Sequence, residues 1–383
     1  MESREQMLSI RINQVKAIVL LGFFSFISLF IPKKAWVICE RGKDARDNGY
    51  HFYKYLKNAH PEIKVYYIID QSSPDYEKVE EDAVQYGSIR NYWVVATSKK
   101  LISTHYALCL PDIGSKLFAL CGLGNKFYFL QHGIIKADLA FLFEANAPMR
   151  LFCCGAKPEF EYVKNVFGHP EGVVNYTGLA RFDKLHDYTA KNAILVMPTW
   201  RQYLSGVSAE EFKKSEYFIR WSEFLTDPRL SNMLRENGFK LYFYPHYELQ
   251  KFIDCFTFED ENIILSNFRD FDVQQLLMDA KLLITDYSSV FFDIAYMKKP
   301  CVFYQFDKDA FFTRHYLKGH CDYSEHGFGD VVTSAEELLT SLGENFSRKF
   351  VPQDKYAKQM DSFFVLHDMH NCERIYNAIE AME

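Results

Sequence analysis

The order of apolar and polar positions divides the chain into short, nearly continuous apolar runs separated by stretches of helical spacing. In the first half the runs are "AWVIC" (35–39), "IKVYYII" (63–69), "YWVVA" (92–96), "KLIST" (100–104), "KFYFL" (126–130), "RLFCC" (150–154) and "VVNYT" (173–177). Helix-like stretches cover 50–60 and 75–86. After a polar bridge, "DKLHDYTAKN" (183–192), the series resumes with "AILVM" (193–197), "KLYFY" (240–244), "NIIL" (262–265), "LLIT" (282–285) and "CVFY" (301–304). Helical patterns at 208–224 and 271–279 fill the gaps, and 354–383 reads as helical. Apolar runs bounded by turns are strands buried on both faces, and their alternation with helices predicts parallel βαβ units. The fold class is therefore α/β, with one Rossmann-like domain over 35–190, a second over 191–353, a C-terminal helical tail over 354–383 and an apolar N-terminal segment over 1–34. The two parallel sheets are expected to face a central cleft.

The apolar content, 48%, is ample for two cores, and 35 Phe and 25 Tyr make the chain rich in aromatic rings. A net charge of −6 gives no electrostatic footprint for nucleic acid, so any phosphate chemistry must use local donors. The nine cysteines include no C-x-x-C pair and several lie inside apolar runs, which points to reduced, buried thiols rather than a disulfide framework or a zinc site. Residues 17–31, "AIVLLGFFSFISLFI", are uncharged between Lys16 and Lys33-Lys34. The run is shorter than the ~20 residues of a membrane span and is followed by no cleavage motif, leaving a buried core helix or an in-plane membrane helix.

In open α/β sheets ligands bind beyond the carboxyl ends of the strands, so the polar residues directly after each strand matter most. Four such places carry chemistry. His132-Gly133 follow "FYFL"; Gly permits close backbone approach and His exchanges protons near neutral pH, although a lone histidine is more often structural. Thr199 and Arg201, in "MPTWR", could hold a phosphate or belong to an ordinary loop. His246 follows a strand and a proline in "YFYPH". In "LLITDYSSVFFDIAY", Ser288 and Ser289 could cap the next helix or, with its free N–H groups, bind an anion; both uses need the same donors. The Gly-rich signatures of a P-loop or a dinucleotide fold are absent, and no H-x-D or D-x-D pattern at a strand end calls for a metal.

Taken in order, "QHGIIK" (131–136), "TGLARFDKL" (177–185), "MPTWR" (197–201), "YPH" (244–246) and "LLITDYSSVFFDIAYMKKPCVFYQFD" (282–307) resemble the CDP-glycerol glycerophosphotransferases that build teichoic-acid-type polymers in bacteria. "ERGKDARDNGYHFYKYL" (40–56) is similar to the family's N-terminal region, and the likeness covers roughly 35–345. It implies a GT-B-like fold, with an N-terminal acceptor domain and a C-terminal domain for the CDP-alcohol. The implied reaction is transfer of glycerol phosphate from CDP-glycerol to a hydroxyl of a lipid-linked saccharide or growing polymer, with CMP released, without cofactor or metal. The implied place is the cytoplasmic face of the bacterial membrane, peripheral or monotopic, in teichoic-acid or capsule synthesis.

Residue by residue, His132 resembles the family's general base and His246 the histidine that stabilises the diphosphate, expected as an imidazolium. Thr199, Arg201, Asp286, Ser288 and Ser289 match donor-side positions. Asp47, Asn48, Gly133, Lys136, Arg181 and Asp183 are assigned to the acceptor side. Gln131 and Ile134-Ile135 stand where the family often has Trp and Thr-Pro. A CDP-ribitol ribitolphosphotransferase needs the same diphosphate grip, and a nucleotide-sugar GT-B glycosyltransferase remains a third reading.

Overall fold

The computed structural model describes residues 4–136, 138–314 and 323–382. Residues 1–3, 137, 315–322 and 383, which fall in the segments assigned above, lie outside the described residues. The chain divides into two compact units. The first comprises Met1–Ile134, Leu139–Lys184 and Leu366–Glu383; the second comprises Ile135–Asp138 and Leu185–Val365.

The first unit is built on seven strands: β1 (Trp36–Cys39), β2 (Val65–Ile69), β3 (Ala83–Gln85), β4 (Lys100–Ser103), β5 (Phe127–Phe129), β6 (Leu151–Cys154) and β7 (Val174–Tyr176). All pair in parallel, in the order β3-β2-β1-β4-β5-β6-β7. β1, β5 and β6 are buried at every position, as their unbroken apolar runs require. The second unit has β8 (Ala193–Val196), β9 (Lys240–Phe243), β10 (Ile263–Leu265), β11 (Leu282–Thr285), β12 (Cys301–Tyr304) and β13 (Gly329–Val332), ordered β10-β9-β8-β11-β12-β13 and again wholly parallel. In each sheet the strand order reverses direction once, between β1 and β4 and between β8 and β11. Those are the topological switch points at which doubly wound sheets open a crevice.

Three stretches differ from the sequence reading. "YWVVA" is not a strand but part of the helix Ile89–Thr97, started by Ser88, whose side chain accepts from the Asn91 N–H. Its β-branched run looked like a strand because Tyr92, Val94, Val95 and Ala96 are all buried. The stretch 75–86 is not one helix but two 3-10 turns, Tyr76–Lys78 and Glu80–Asp82, leading into edge strand β3. The pattern at 208–224 resolves into two helices, Ala209–Lys213 and Glu216–Leu225, capped by Ser208 and Ser215.

The N-terminal helix is longer than its uncharged run, spanning Arg4–Ile27, and Met7–Ile27 is long and apolar enough to cross a membrane. One side packs on the first unit: Ala17, Leu21 and Phe24 are buried, and Phe24 meets Trp93 edge-on at 5.2 Å. Lys16 donates to the Gly87 carbonyl and Asn13 to Asp112. The other side exposes Leu8, Ile12, Val15, Val19, Phe23 and Phe26.

The C-terminal segment forms two helices, Asp354–Phe363 and Asn371–Glu380, and the second belongs to the first unit. Asp183 fastens its start, accepting from the Asn371 and Cys372 N–H groups and the Asn371 side chain. Buried Lys100 bonds Glu380 and the Ile379 carbonyl at its end, where a cation suits the helix dipole. Gly178 has φ +75°, and a Cβ there would meet the Asn371 side chain. Gly178→Ala is expected to unseat this helix and destabilise the protein by roughly 2 kcal/mol or more, read by urea unfolding; an unchanged midpoint would contradict the close approach.

Candidate functional site

In the first unit the residues after β1, β4 and β5 converge because those strands are neighbours. Gln131 has a left-handed backbone, φ +62°, which costs on the order of 1 kcal/mol or more for a residue with a Cβ. Two bonds hold it: Asn48 Nδ2 donates to its carbonyl (2.9 Å), and its own amide donates to the Cys153 carbonyl. The turn brings out the next residue, His132, whose side chain is 63% exposed.

His132 Nδ1 lies 2.5 Å from Asp47 Oδ2. Asp47 occupies the N-cap position of the helix Asn48–Ala59 yet caps nothing, because its carboxylate is turned to His132 and, through Oδ1, to Arg181 Nη1 at 3.0 Å. The same Arg181 nitrogen donates to the His132 carbonyl (2.8 Å), and the Arg181 N–H donates to Asn48 Oδ1 (3.0 Å). Burial pushes the Asp47 carboxyl up, but the His132 ring and the Arg181 guanidinium outweigh it and hold it well below the usual range. An ionised Asp47 can only accept, so the ring proton resides on Nδ1 and the Nε2 lone pair is left for an incoming proton.

Behind Asp47, Glu40 at the end of β1 accepts from the N–H groups of Arg46, Asp47 and Tyr50. Burial and the nearby Asp47 charge push its carboxyl up to about 8, against those three donors. Gly49 is required here, since a Cβ would meet Glu40 Cγ at 2.9 Å.

Of the other acceptor-side assignments, Gly133 is half-buried beside His132. Two change place. Asp183 is spent on the C-terminal helix, so its carboxylate is structural. Lys136 falls in the second unit, where it donates to the Tyr287 carbonyl and to the Tyr323 hydroxyl (2.7 Å).

In the second unit the loops after β8, β11 and β12 are tied by one buried guanidinium. Arg201 is 0% exposed; Nε and Nη2 grip Asp307 (2.7 and 2.9 Å), Nη2 also reaches Asp286 (2.9 Å), and Nη1 donates to the carbonyls of Thr199 (2.7 Å) and Trp200. Tyr217, Tyr287 and Phe311 place their rings around it at 4.9–5.3 Å. Burial opposes the charge, but Asp286 and Asp307 more than restore it, so Arg201 stays a cation. Every guanidinium N–H has a protein acceptor, which corrects the expected bidentate phosphate contact. Arg201 and Asp286 are instead the strut of these loops: Asp286 Oδ1 also takes the Thr199 and Tyr287 N–H groups.

The helix after β11 starts later than expected and is short, Phe291–Tyr296, with Val290 at the N-cap and no side-chain cap. Ser288 Oγ accepts from the Val290 N–H at a long 3.5 Å, so the serines do not cap this helix, and both are half-buried. Thr199, 8% exposed, holds an enclosed hydroxyl with no hydrogen-bond partner among the described residues. His246 Nδ1 accepts from the Glu248 N–H (3.3 Å) and its ring lies nearly parallel to Trp200. With Nδ1 accepting in that bond, Nε2 is the ring nitrogen left to donate a hydrogen bond. Among the described residues no group of three or more His, Cys, Asp or Glu side chains is arranged to hold a metal ion.

Glu40, His105 and Asp307 were missed from the sequence. Each follows a strand closely, "AWVICE", "KLISTH" and "CVFYQFD", so the strand-end rule applied at every strand finds them.

Two Rossmann-like parallel sheets with polar residues at both switch points define the GT-B-like class of fold. A solved wall teichoic acid polymerase, TagF, shares it over 99% of this chain and 98% of its own (TM-score 0.69, 17% identity). The profile of the CDP-glycerol:poly(glycerophosphate) glycerophosphotransferase family matches residues 21–133 and 160–381, and the chain belongs to that family. Among curated relatives, the minor teichoic acid biosynthesis protein GgaB of Bacillus subtilis (strain 168) is 33% identical over 92% of this chain and 40% of its own length. The teichoic acid poly(glycerol phosphate) polymerase of the same strain is 24% identical over 94% of this chain and 50% of its own. The chain thus spans half the length of these relatives or less.

Proposed function

We propose that this protein transfers glycerol phosphate from CDP-glycerol to a hydroxyl of a lipid-linked saccharide or growing polymer, releasing CMP, in bacterial teichoic-acid or capsule synthesis. The observation that carries the reading is the Asp47–His132 pair, a histidine whose Nε2 is kept as a base, in a chain of this family. The acceptor oxygen attacks the phosphorus that bears glycerol as its proton passes to His132 Nε2. The bond from that phosphorus to the CMP oxygen breaks, and the electron pair leaves with CMP. Charge growing on the leaving phosphate is met by the His246 Nε2–H and the hydroxyls of Ser288, Ser289 and Thr199, while Arg201 and Asp286 hold their loops. Arg181 and Asn48 keep the base in register. A CDP-ribitol donor would use the same groups.

Incubating the purified protein with CDP-glycerol, CDP-ribitol or a UDP-sugar, plus lipid-linked acceptor, and following nucleotide release tests the reading. CMP from CDP-glycerol with a product heavier by one glycerol phosphate is expected; UDP release alone would overturn it. The Ser288→Ala, Ser289→Ala double variant should raise KM for CDP-glycerol by about tenfold, two neutral hydrogen bonds' worth, with Tm unchanged. A fallen Tm with unchanged KM would restore a structural role for the serines.

We place the reaction at the cytoplasmic membrane face, with the N-terminal helix lying in the interface rather than spanning. Its Ala17, Leu21 and Phe24 side is occupied by protein, which leaves one apolar side for lipid. Ile12→Ser, Val19→Ser and Phe23→Ser together should abolish co-sedimentation with anionic vesicles; full binding by that variant would remove the helix as the anchor.

A further inference from the structure

Beside the Asp47–His132 pair stands a second imidazole that the mechanism above does not use. His105 ends the sequence Ser103-Thr104-His105 at the carboxyl end of β4, between the ends of β1 and β5. Its centroid is 4.9 Å from that of His132, with the ring planes tilted by 38°.

The residue is clamped at both backbone and ring. Ser103 Oγ donates to the His105 carbonyl (2.9 Å) and accepts from its N–H (3.2 Å), a turn that fixes where the side chain leaves the strand. Thr104 Oγ1 lies 2.9 Å from Nδ1, which sets the ring's rotation. Nε2 has no hydrogen-bond partner among the described residues. A histidine that only filled space would need neither clamp, and a core ring would not be left partly open to solvent, as this one is.

We propose that His105 is an acceptor-binding residue that, next to the base, selects a chain end carrying two neighbouring hydroxyls. The inference rests on the glycerol-phosphate reading. Each glycerol phosphate added through its phosphate leaves the new end with two hydroxyls on adjacent carbons. The hydroxyl that attacks gives its proton to His132 Nε2, and the neighbouring hydroxyl hydrogen-bonds to His105 Nε2. No proton changes hands at His105.

The electrostatics suit that division. Burial, reinforced by the adjacent His132, pushes His105 down to about 3, so it stays neutral while the base beside it takes up a proton. Two charged imidazoles at this separation would repel; one base and one neutral hydrogen-bonding ring do not.

The test uses the full chain with CDP-glycerol and two short-chain alkyl phosphodiesters, one ending in glycerol and one in propane-1,3-diol, which keeps a single hydroxyl. The parent should favour the glycerol-ended ester by about tenfold in kcat/KM, the worth of one hydrogen bond. His105→Phe should erase that preference by raising KM for the diol alone, with KM for CDP-glycerol unchanged, and His105→Asn should restore part of it. Equal slowing of both esters, a preference that survives His105→Phe, or no elongation of either ester while another acceptor is used would overturn the proposal. Should His105→Phe not fold, a full parental preference in His105→Asn together with an unaltered diol KM would overturn it, and a reduced preference would support it. No CMP from any acceptor would instead remove the underlying glycerol-phosphate reading.

Discussion

His132→Ala should lower kcat by about 10²–10⁴-fold, the worth of a positioned general base, while the protein stays folded. The ring is largely exposed, so its loss leaves no core cavity; stability should stay within about 0.5 kcal/mol of the parent. Asp47→Asn gives the sharper reading. An asparagine amide turned to Nδ1 can donate to it, which moves the ring proton to Nε2 and spoils the base without removing it. The variant should therefore fall towards the His132→Ala rate although its histidine is intact. Added imidazole should partly rescue His132→Ala and leave Asp47→Asn unimproved. Parental turnover in His132→Ala would end the assignment of this residue as the base.

Arg201→Met is expected to be the most destabilising single change in the second unit, by roughly 3–5 kcal/mol, because it leaves Asp286 and Asp307 buried without their cation. Neutralising those carboxylates should recover part of the loss: the triple variant Arg201→Met, Asp286→Asn, Asp307→Asn should unfold at a higher urea concentration than Arg201→Met alone. Full recovery is not expected, since Asp286 also organises the Thr199 and Tyr287 amides. If Arg201→Met kept parental stability but lost CDP-glycerol binding, the guanidinium would be a ligand for the donor after all.

These two residues looked alike in the sequence, each a polar side chain shortly after an apolar run, yet one stands exposed and the other is an interior strut. His132 protrudes because Gln131 takes a left-handed turn held by Asn48 and Cys153. Nothing in "FLQHG" announces that turn, since Gln is not a residue that favours it. Arg201 turns inward because Asp286 and Asp307 lie across the switch point from it. Its distance along the chain from them, 85 and 106 residues, gives no local signal.

Most of the strands were legible; β3 and β13, partly exposed edge strands, were not. A parallel strand covered on both faces must be apolar at every position, and an unbroken run such as "LLIT" or "CVFY" is that requirement written out. The run 92–96 deceived because a helix buried under another helix shows the same unbroken character over five residues. The placement of His132, Thr199, His246 and Ser288 just beyond strands followed from the same rule, since the first residues beyond a buried strand must leave the core.

What the chain alone determined was thus the alternation of buried strands and helices, the family it belongs to and the places where polar groups emerge. Which polar groups meet was decided only by tertiary structure. Asp47 reaches His132 across 85 residues, and Asp183 turns from an acceptor candidate into the clamp of a helix 188 residues further on. The physical reason is strand order. Neighbours in a sheet that reverses at a switch point are distant in sequence, and a carboxylate takes whichever donor the fold carries to it.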